Sequence, residues 1–434
     1  MSAGTIGIIG LGGLFALLAV RMPVAIVLIL VGLFGIAALN GWPAAYATLA
    51  SETFVIASFY ELSVIPLFVL MGNFATASGM SRDLYAAAYA WIGHWRGGLA
   101  SATIVGCSGF AALSGSSVAS AVTMGRVALP EMQRYRYDPR LATGAVAAGG
   151  TLGILIPPST GFVIYAVLTE QSIGRLFLAG VLPGILLTGL FVATIYLLTR
   201  IRPALGPAGP VTALRARLTA LVKAGPMVGI VLLTIGGIYG GVFTAVEAAG
   251  VGAFVAMLVA VARRALSWPV LSTVLLQSTQ TTAMSFLILI GAHIFSPFLA
   301  LSHIPTTLGE ALLGLEVGRY GALLIILAAY IVLGTFLEGF AILVLTMPIV
   351  FPLVVGLGFD PIWFGVVLVI VLEMGLISPP VGVNVFVVKG IAEGVPMKDI
   401  FAGIVPFWLA MIVCLALLVA FPEIALVLPN TMFD

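Results

Sequence analysis

The segment Gly153-Ile154-Leu155-Ile156-Pro157-Pro158-Ser159-Thr160 has a near copy 222 residues later, Gly375-Leu376-Ile377-Ser378-Pro379-Pro380-Val381-Gly382, with Asn384 just beyond. Each lies inside a long apolar run. Proline removes a backbone donor and clashes with the preceding turn, so two in succession break a helix. The break frees carbonyls ahead of it and exposes a half-helix N-terminus behind it. Freed carbonyls can bind a cation, while N–H groups and the helix dipole favour a carboxylate. The plain alternative is a kink with no ligand. Recurrence at equivalent positions, with small or polar residues after each, favours a site.

The copying extends outward from these breaks. Asp138-Pro139 recurs as Asp360-Pro361 and Pro130 as Pro352, both at an offset of 222. Thr123-Met124 recurs as Thr346-Met347, Ala179-Gly180 as Ala402-Gly403 and Pro183 as Pro406, all at 223. Residues 62–198 and 283–421 therefore read as two copies of one unit. Residues 1–61 and 226–282 supply scaffold helices around them, 199–225 is a basic linker, and 422–434 is a C-terminal tail.

The solvent of this unit is lipid. Of 434 residues, 62% are hydrophobic and only 8% are charged. An ordinary soluble domain carries roughly a quarter charged residues, so a soluble enzyme, a nucleic-acid binder and a disordered chain are excluded. The apolar runs are continuous and do not alternate, which selects spanning helices over a membrane barrel. They predict helices near 4–20, 23–39, 62–78, 139–168, 176–198, 226–241, 245–262, 283–300, 360–388 and 400–421. The first lacks a basic residue ahead of it and reads as a spanning helix rather than a cleaved signal.

Two further apolar regions, 97–131 and 320–357, are long but small or polar at their centres. Each predicts a re-entrant helical hairpin, since non-helical backbone at membrane depth survives only against protein or water. Their tips are Ser114-Gly115-Ser116-Ser117 and Gly334-Thr335-Phe336-Leu337-Glu338-Gly339. The first tip offers hydroxyls that suit a hard cation or donate to an anion; close packing of small residues is the alternative. The second adds Glu338, and an ionisable residue in a membrane segment is a functional candidate by default. It could be a cation ligand, a proton carrier or a helix-tip anchor. Glu373, just before the second break, ranks next. Glu247, after Thr244, reads as a helix cap.

The charges orient the copies. Residues 126–140 hold Arg126, Arg134, Arg136 and Arg140, whereas 348–362 hold no Lys or Arg. By the positive-inside rule the first stretch is cytoplasmic and the second is not. Linker residues Arg200, Arg202, Arg215, Arg217 and Lys223, with no acid among them, and Arg263-Arg264 mark further cytoplasmic points. The two units thus read as inverted-topology repeats with both termini outside, an architecture of secondary transporters. Cys107 and Cys414 lie in apolar stretches and read as unpaired small hydrophobes. The three histidines show no metal spacing, and no glycine run forms a phosphate loop.

Taken together, Ile65 to Phe74, Ser114 to Ser117, Gly153 to Ser159, Gly241 to Ala249 and Met374 to Val388 resemble the large membrane subunit (DctM type) of TRAP transporters. The resemblance spans essentially the whole chain; Ala245-Val246 departs from the Pro-Thr often found there. It implies an elevator mechanism and Na⁺-driven uptake of an organic acid. It also implies a bacterial inner-membrane location, a periplasmic binding protein and a small DctQ-type membrane subunit, expected here as a separate chain. Carried onto this sequence, Na⁺ would sit near Ser114, Gly115, Gly153 and Pro157, and near Thr335, Gly339, Gly375, Ser378 and Pro379. Substrate would lie near Ser116, Ser117, Ser159, Thr160, Glu338 and Asn384. No cofactor beyond the coupling ion, no nucleic acid and no enzymatic activity is implied. A stand-alone carboxylate symporter, an intramembrane enzyme and a structural scaffold are the other readings. The sequence shows no reactive pair for the enzyme, and a scaffold has no use for mirrored breaks.

Overall fold

A computed structural model describes residues 2–314 and 316–432, and every regular element among them is helical. The chain opens with α1 (Ala3–Ala19), α2 (Val24–Asn40) and α3 (Trp42–Ser58), then α4 (Val64–Ala77) and α5 (Met80–Ile92). A hairpin of α6 (Gly98–Ser114) and α7 (Ser117–Arg134) leads to α8 (Pro139–Leu155) and α9 (Thr160–Thr169), the halves of a broken helix. The long α10 (Ile173–Ile201), α11 (Leu214–Tyr239), α12 (Ala245–Ala262) and α13 (Trp268–Leu301) follow. A second series then runs α14 (Ile304–Leu313), hairpin α15 (Gly318–Gly334) and α16 (Gly339–Gly356), broken pair α17 (Pro361–Leu376) and α18 (Val383–Ile391), and α19 (Met397–Ala420). The short α20 (Glu423–Asn430) closes the chain.

Among the described residues, seven helical stretches are long and apolar enough to cross a bilayer. The pair α8 and α9, bent by 40° at its break, makes an eighth. The protein is a multi-pass membrane protein.

The helix–turn–helix pairs α6–α7 and α15–α16 and both breaks turn at the residues the sequence predicts. Asp138 and Asp360 cap α8 and α17, accepting from the backbone N–H of Arg140 (2.8 Å) and Trp363 (2.9 Å). Each is followed by proline at the first helical position, where the missing N–H costs nothing.

Helices α8 and α17 form the centre. Leu141 through Gly153 and Ile362 through Leu376 are buried without interruption. Small residues let neighbours approach α8 closely, the usual device for helix packing in lipid. A side-chain carbon on Gly149 would come within 2.8 Å of Cys107 Sγ on α6, and one on Gly150 within 2.8 Å of Ala121 on α7. Gly144 meets Gly403 of α19 backbone to backbone, so the first series is built directly onto the second. Around this centre, α13 packs on α2 and α4, and α4 on α12.

Four helices were not expected: α3, α5, α14 and α20, the last inside the 422–434 tail. Helix α11 starts at Leu214, within the stretch read as a linker, and only 202–213 lacks α-helix there. Arginine and lysine are good helix formers, so Arg215, Arg217 and Lys223 interrupt the apolar pattern without interrupting the helix. Helix α13 likewise begins at Trp268, well before residue 283.

Candidate functional site

The first tip is built around Gly115, whose φ of 58° is left-handed backbone that closes α6. Ser116 then caps α7, its Oγ accepting from Ala119 N–H at 3.3 Å. Ser114 and Ser120 hydroxyls pair at 2.9 Å across the turn. The first break abuts this tip. Thr160 Oγ1 donates to the Gly115 carbonyl at 2.7 Å, and Ser159 caps α9 by accepting from Phe162 N–H at 3.3 Å. The N-termini of α7 and α9 therefore converge on Gly115, each capped by a serine. Helix N-termini present N–H groups and partial positive charge, a setting for an anionic group. Gly153 lies against the same turn: a side-chain carbon there would come within 2.8 Å of Ser117 Cα. Pro157 is buried, and Pro157–Pro158 and Pro379–Pro380 are both cis.

The second break is arranged differently. Ser378 Oγ donates to the Met374 carbonyl (2.6 Å) and accepts from the Trp408 indole N–H (3.0 Å), so its hydroxyl is held by protein partners. Pro379 is exposed. Gly375 meets Gly334, the last residue of α15, with 2.8 Å between Gly375 Cα and a side-chain carbon built on Gly334. Thr335 Oγ1 donates to the Val332 carbonyl at 2.8 Å. Glu338 occupies the capping position of α16 without making a side-chain cap, and its side chain is exposed. Gly339 is buried. Beyond the left-handed Gly382 (φ 62°), Asn384 is fully buried, and neither amide atom is hydrogen-bonded among the described residues.

One contact joins the halves. Ser117 Oγ, at the start of α7, donates to Glu373 Oε1 on α17 at 2.5 Å. Glu373 is 1% exposed, and its second oxygen has no hydrogen-bond partner among the described residues. Ser116, Ser117 and Gly153 of the first series thus connect through Glu373 to Gly375 and Gly334 of the second. Asn384 sits apart as an unpaired polar group on α18. A buried polar group left unpaired costs about 1–3 kcal/mol, so Glu373 Oε2 and Asn384 are atoms that a ligand would satisfy.

Sequence reasoning missed the cross-series bond itself: Glu373 stood out as a lone acid in an apolar run, but nothing pointed to Ser117. The Trp408 indole that holds Ser378 likewise had no signal in the sequence. Glu247 is a cap as expected, accepting from Thr244 N–H and Oγ1 at 2.9 Å each. Cys107 and Cys414 are buried and free. Among the described residues no three His, Cys, Asp or Glu side chains gather as a metal site.

Residues 11–424 match the family described as the tripartite ATP-independent periplasmic transporter, DctM component. The chain is 39% identical to the C4-dicarboxylate TRAP transporter large permease protein DctM of Pseudomonas aeruginosa, covering 89% of this chain and 90% of that protein. It is 37% identical to the isethionate TRAP transporter permease protein DctMQ of Oleidesulfovibrio alaskensis, over 88% of this chain and 60% of that protein. Among solved structures, the Alcanivorax borkumensis YdaH transporter aligns with a TM-score of 0.62 at 17% identity, over 89% of this chain and 90% of that one. That likeness speaks to the fold.

Proposed function

The chain belongs to the DctM-component family of tripartite ATP-independent periplasmic transporters, and we propose that it is the large membrane subunit that carries a small organic acid, of the C4-dicarboxylate class, across the bacterial inner membrane. In this reading Na⁺ is the coupling ion, and a periplasmic binding protein delivers the substrate. A small DctQ-type membrane subunit completes the complex. The relative named DctMQ supports the last point, because this chain accounts for only 60% of it.

The observation that carries the reading is the junction of tips and breaks. Two hairpin turns, two interrupted helices and a buried carboxyl shared between them meet inside an apolar bundle. Such interruptions are costly in lipid and are retained where they hold ions and substrate. In this reading the substrate carboxylate lies at the convergent N-termini of α7 and α9, near Ser116, Ser117, Ser159 and Thr160, and Glu338 and Asn384 are the substrate-binding residues of the second series. Na⁺ is held by neutral oxygens around Ser114, Gly115, Gly153 and Pro157, and around Thr335, Gly339, Gly375, Ser378 and Pro379. The two series are inverted repeats, and the block of two hairpins and two broken helices moves against a scaffold as an elevator.

Reconstitution in liposomes tests the proposal. With an imposed inward Na⁺ gradient, succinate uptake should require this chain, the small subunit and the binding protein together. Full uptake by the chain alone would make it a stand-alone carboxylate symporter. Full uptake without Na⁺ would remove the coupling ion.

A further inference from the structure

A cavity of about 690 Å³ opens between α5 and α11, away from the tips and breaks. Arg82, Arg215 and Lys223 line it, and the remaining wall includes Ala86, Ala216 and Thr219, small side chains that leave room between the cations. The acid in the wall, Asp83, is already committed. Arg263 Nη1, from the end of α12, pairs with Asp83 Oδ2 at 2.5 Å and also donates to the Ser78 carbonyl at 3.3 Å. Its other nitrogen donates to the Lys223 carbonyl at 3.1 Å. The guanidinium therefore neutralises the acid and pins α5, α11 and α12 together, leaving three cations around a preformed opening.

The surroundings fix its depth. Trp91 and Trp95 are exposed where α5 ends, and Arg217 lies over the Trp91 ring, 6.0 Å from its centroid. Exposed tryptophans mark the headgroup level of a bilayer. The apolar stretch of α11 is only 22% buried within the bundle, so much of its surface beside the cavity faces outward.

We infer that this cavity binds the phosphate headgroup of an anionic phospholipid, with phosphatidylglycerol the simplest occupant. Basic clefts between helices at the headgroup level attract anionic lipids, and arginine forks match phosphate oxygens in a bidentate fashion. The acyl chains run along the apolar surface of α11, where Leu218, Leu221 and Val222 are exposed. The inference is independent of which substrate is carried.

Native mass spectrometry of the detergent-purified chain, supplied with phosphatidylglycerol or phosphatidylcholine, tests it. The natural chain should retain phosphatidylglycerol preferentially. Neutralising each cation (Arg82→Gln, Arg215→Gln, Lys223→Gln) should weaken retention about fivefold, and the triple variant should lose the preference. Arg82→Lys and Arg215→Lys should keep most of it. Arg134→Gln with Arg136→Gln, a basic pair at the end of α7, should leave it unchanged. If the triple variant does not fold, the single variants carry the test. An unaltered lipid preference in the variants would overturn the assignment. So would an equal loss in the Arg134/Arg136 pair, or displacement of the lipid by inorganic phosphate at matched concentration.

Discussion

Glu373 shows how much one side chain can hold in a medium that offers no water. Its carboxyl receives the Ser117 hydroxyl and nothing else among the described residues. Ser117→Ala strips that donor and leaves the carboxyl wholly unpaired, at a cost of about 1–3 kcal/mol. The thermal unfolding midpoint in detergent should fall accordingly. Glu373→Gln keeps an acceptor for Ser117 and should lower the midpoint less than Glu373→Leu; equal effects would show that the bond is not what stabilises the junction. Glu338 behaves differently, because its side chain is exposed and makes no cap. Glu338→Gln should leave expression and unfolding unchanged but reduce Na⁺-driven uptake about tenfold, a loss of roughly 1.4 kcal/mol in the limiting step. Unchanged uptake would remove Glu338 from the site. Both acids were legible in the sequence because acids are rare in apolar runs. Asn384 was legible as a polar residue past a break. What each would touch was not, since such partners lie up to 256 positions apart.

At the scale of helices, the sequence announces interruptions more clearly than boundaries. Asp-Pro starts, Pro-Pro breaks and the Ser-Gly-Ser turn each have a local backbone cause, and all fall where expected. Helices α3 and α5 were missed because Ser51, Glu52 and Thr53, or Ser81, Arg82 and Asp83, dilute the apolar pattern. Their partners lie elsewhere in the fold: Arg263 takes Asp83, and His293 lies 3.5 Å from Glu52. The contact between α9 and the first tip gives an element-level prediction. Thr160→Val removes the hydroxyl that reaches the Gly115 carbonyl and should cost about 0.5–1.5 kcal/mol. If that bond also sets the tip for transport, the half-saturating Na⁺ concentration for uptake should rise while the maximal rate changes little. A change in rate alone would detach the bond from ion binding. Gly153→Val is harsher, because the turn's backbone occupies the space of the new side chain. It should abolish uptake even in chain that reaches the membrane.

Across the whole molecule, the positive-inside argument makes the sharpest claim. A cysteine at Arg136 and one at Asp360 should label from opposite sides of the membrane. The native Cys107 and Cys414 are buried and add little background. Same-side labelling would end the inverted-repeat reading while leaving the helices as they are. The recurrence of motifs at near-constant spacing was legible from sequence; that the two series interlock was not. The interlock bears on how such a chain can be made. Helix α8 is buried from Leu141 through Gly153, yet Gly403, against which Gly144 packs, lies 259 residues further along. At ~5–20 residues per second, translation takes roughly 13–52 s to supply it. Through that interval the membrane holds half a bundle whose glycine-rich faces have only lipid or other proteins to meet. A ribosome that stalls before Met397 would therefore release a fragment lacking the covering helix, and such fragments should be short-lived substrates of membrane proteases.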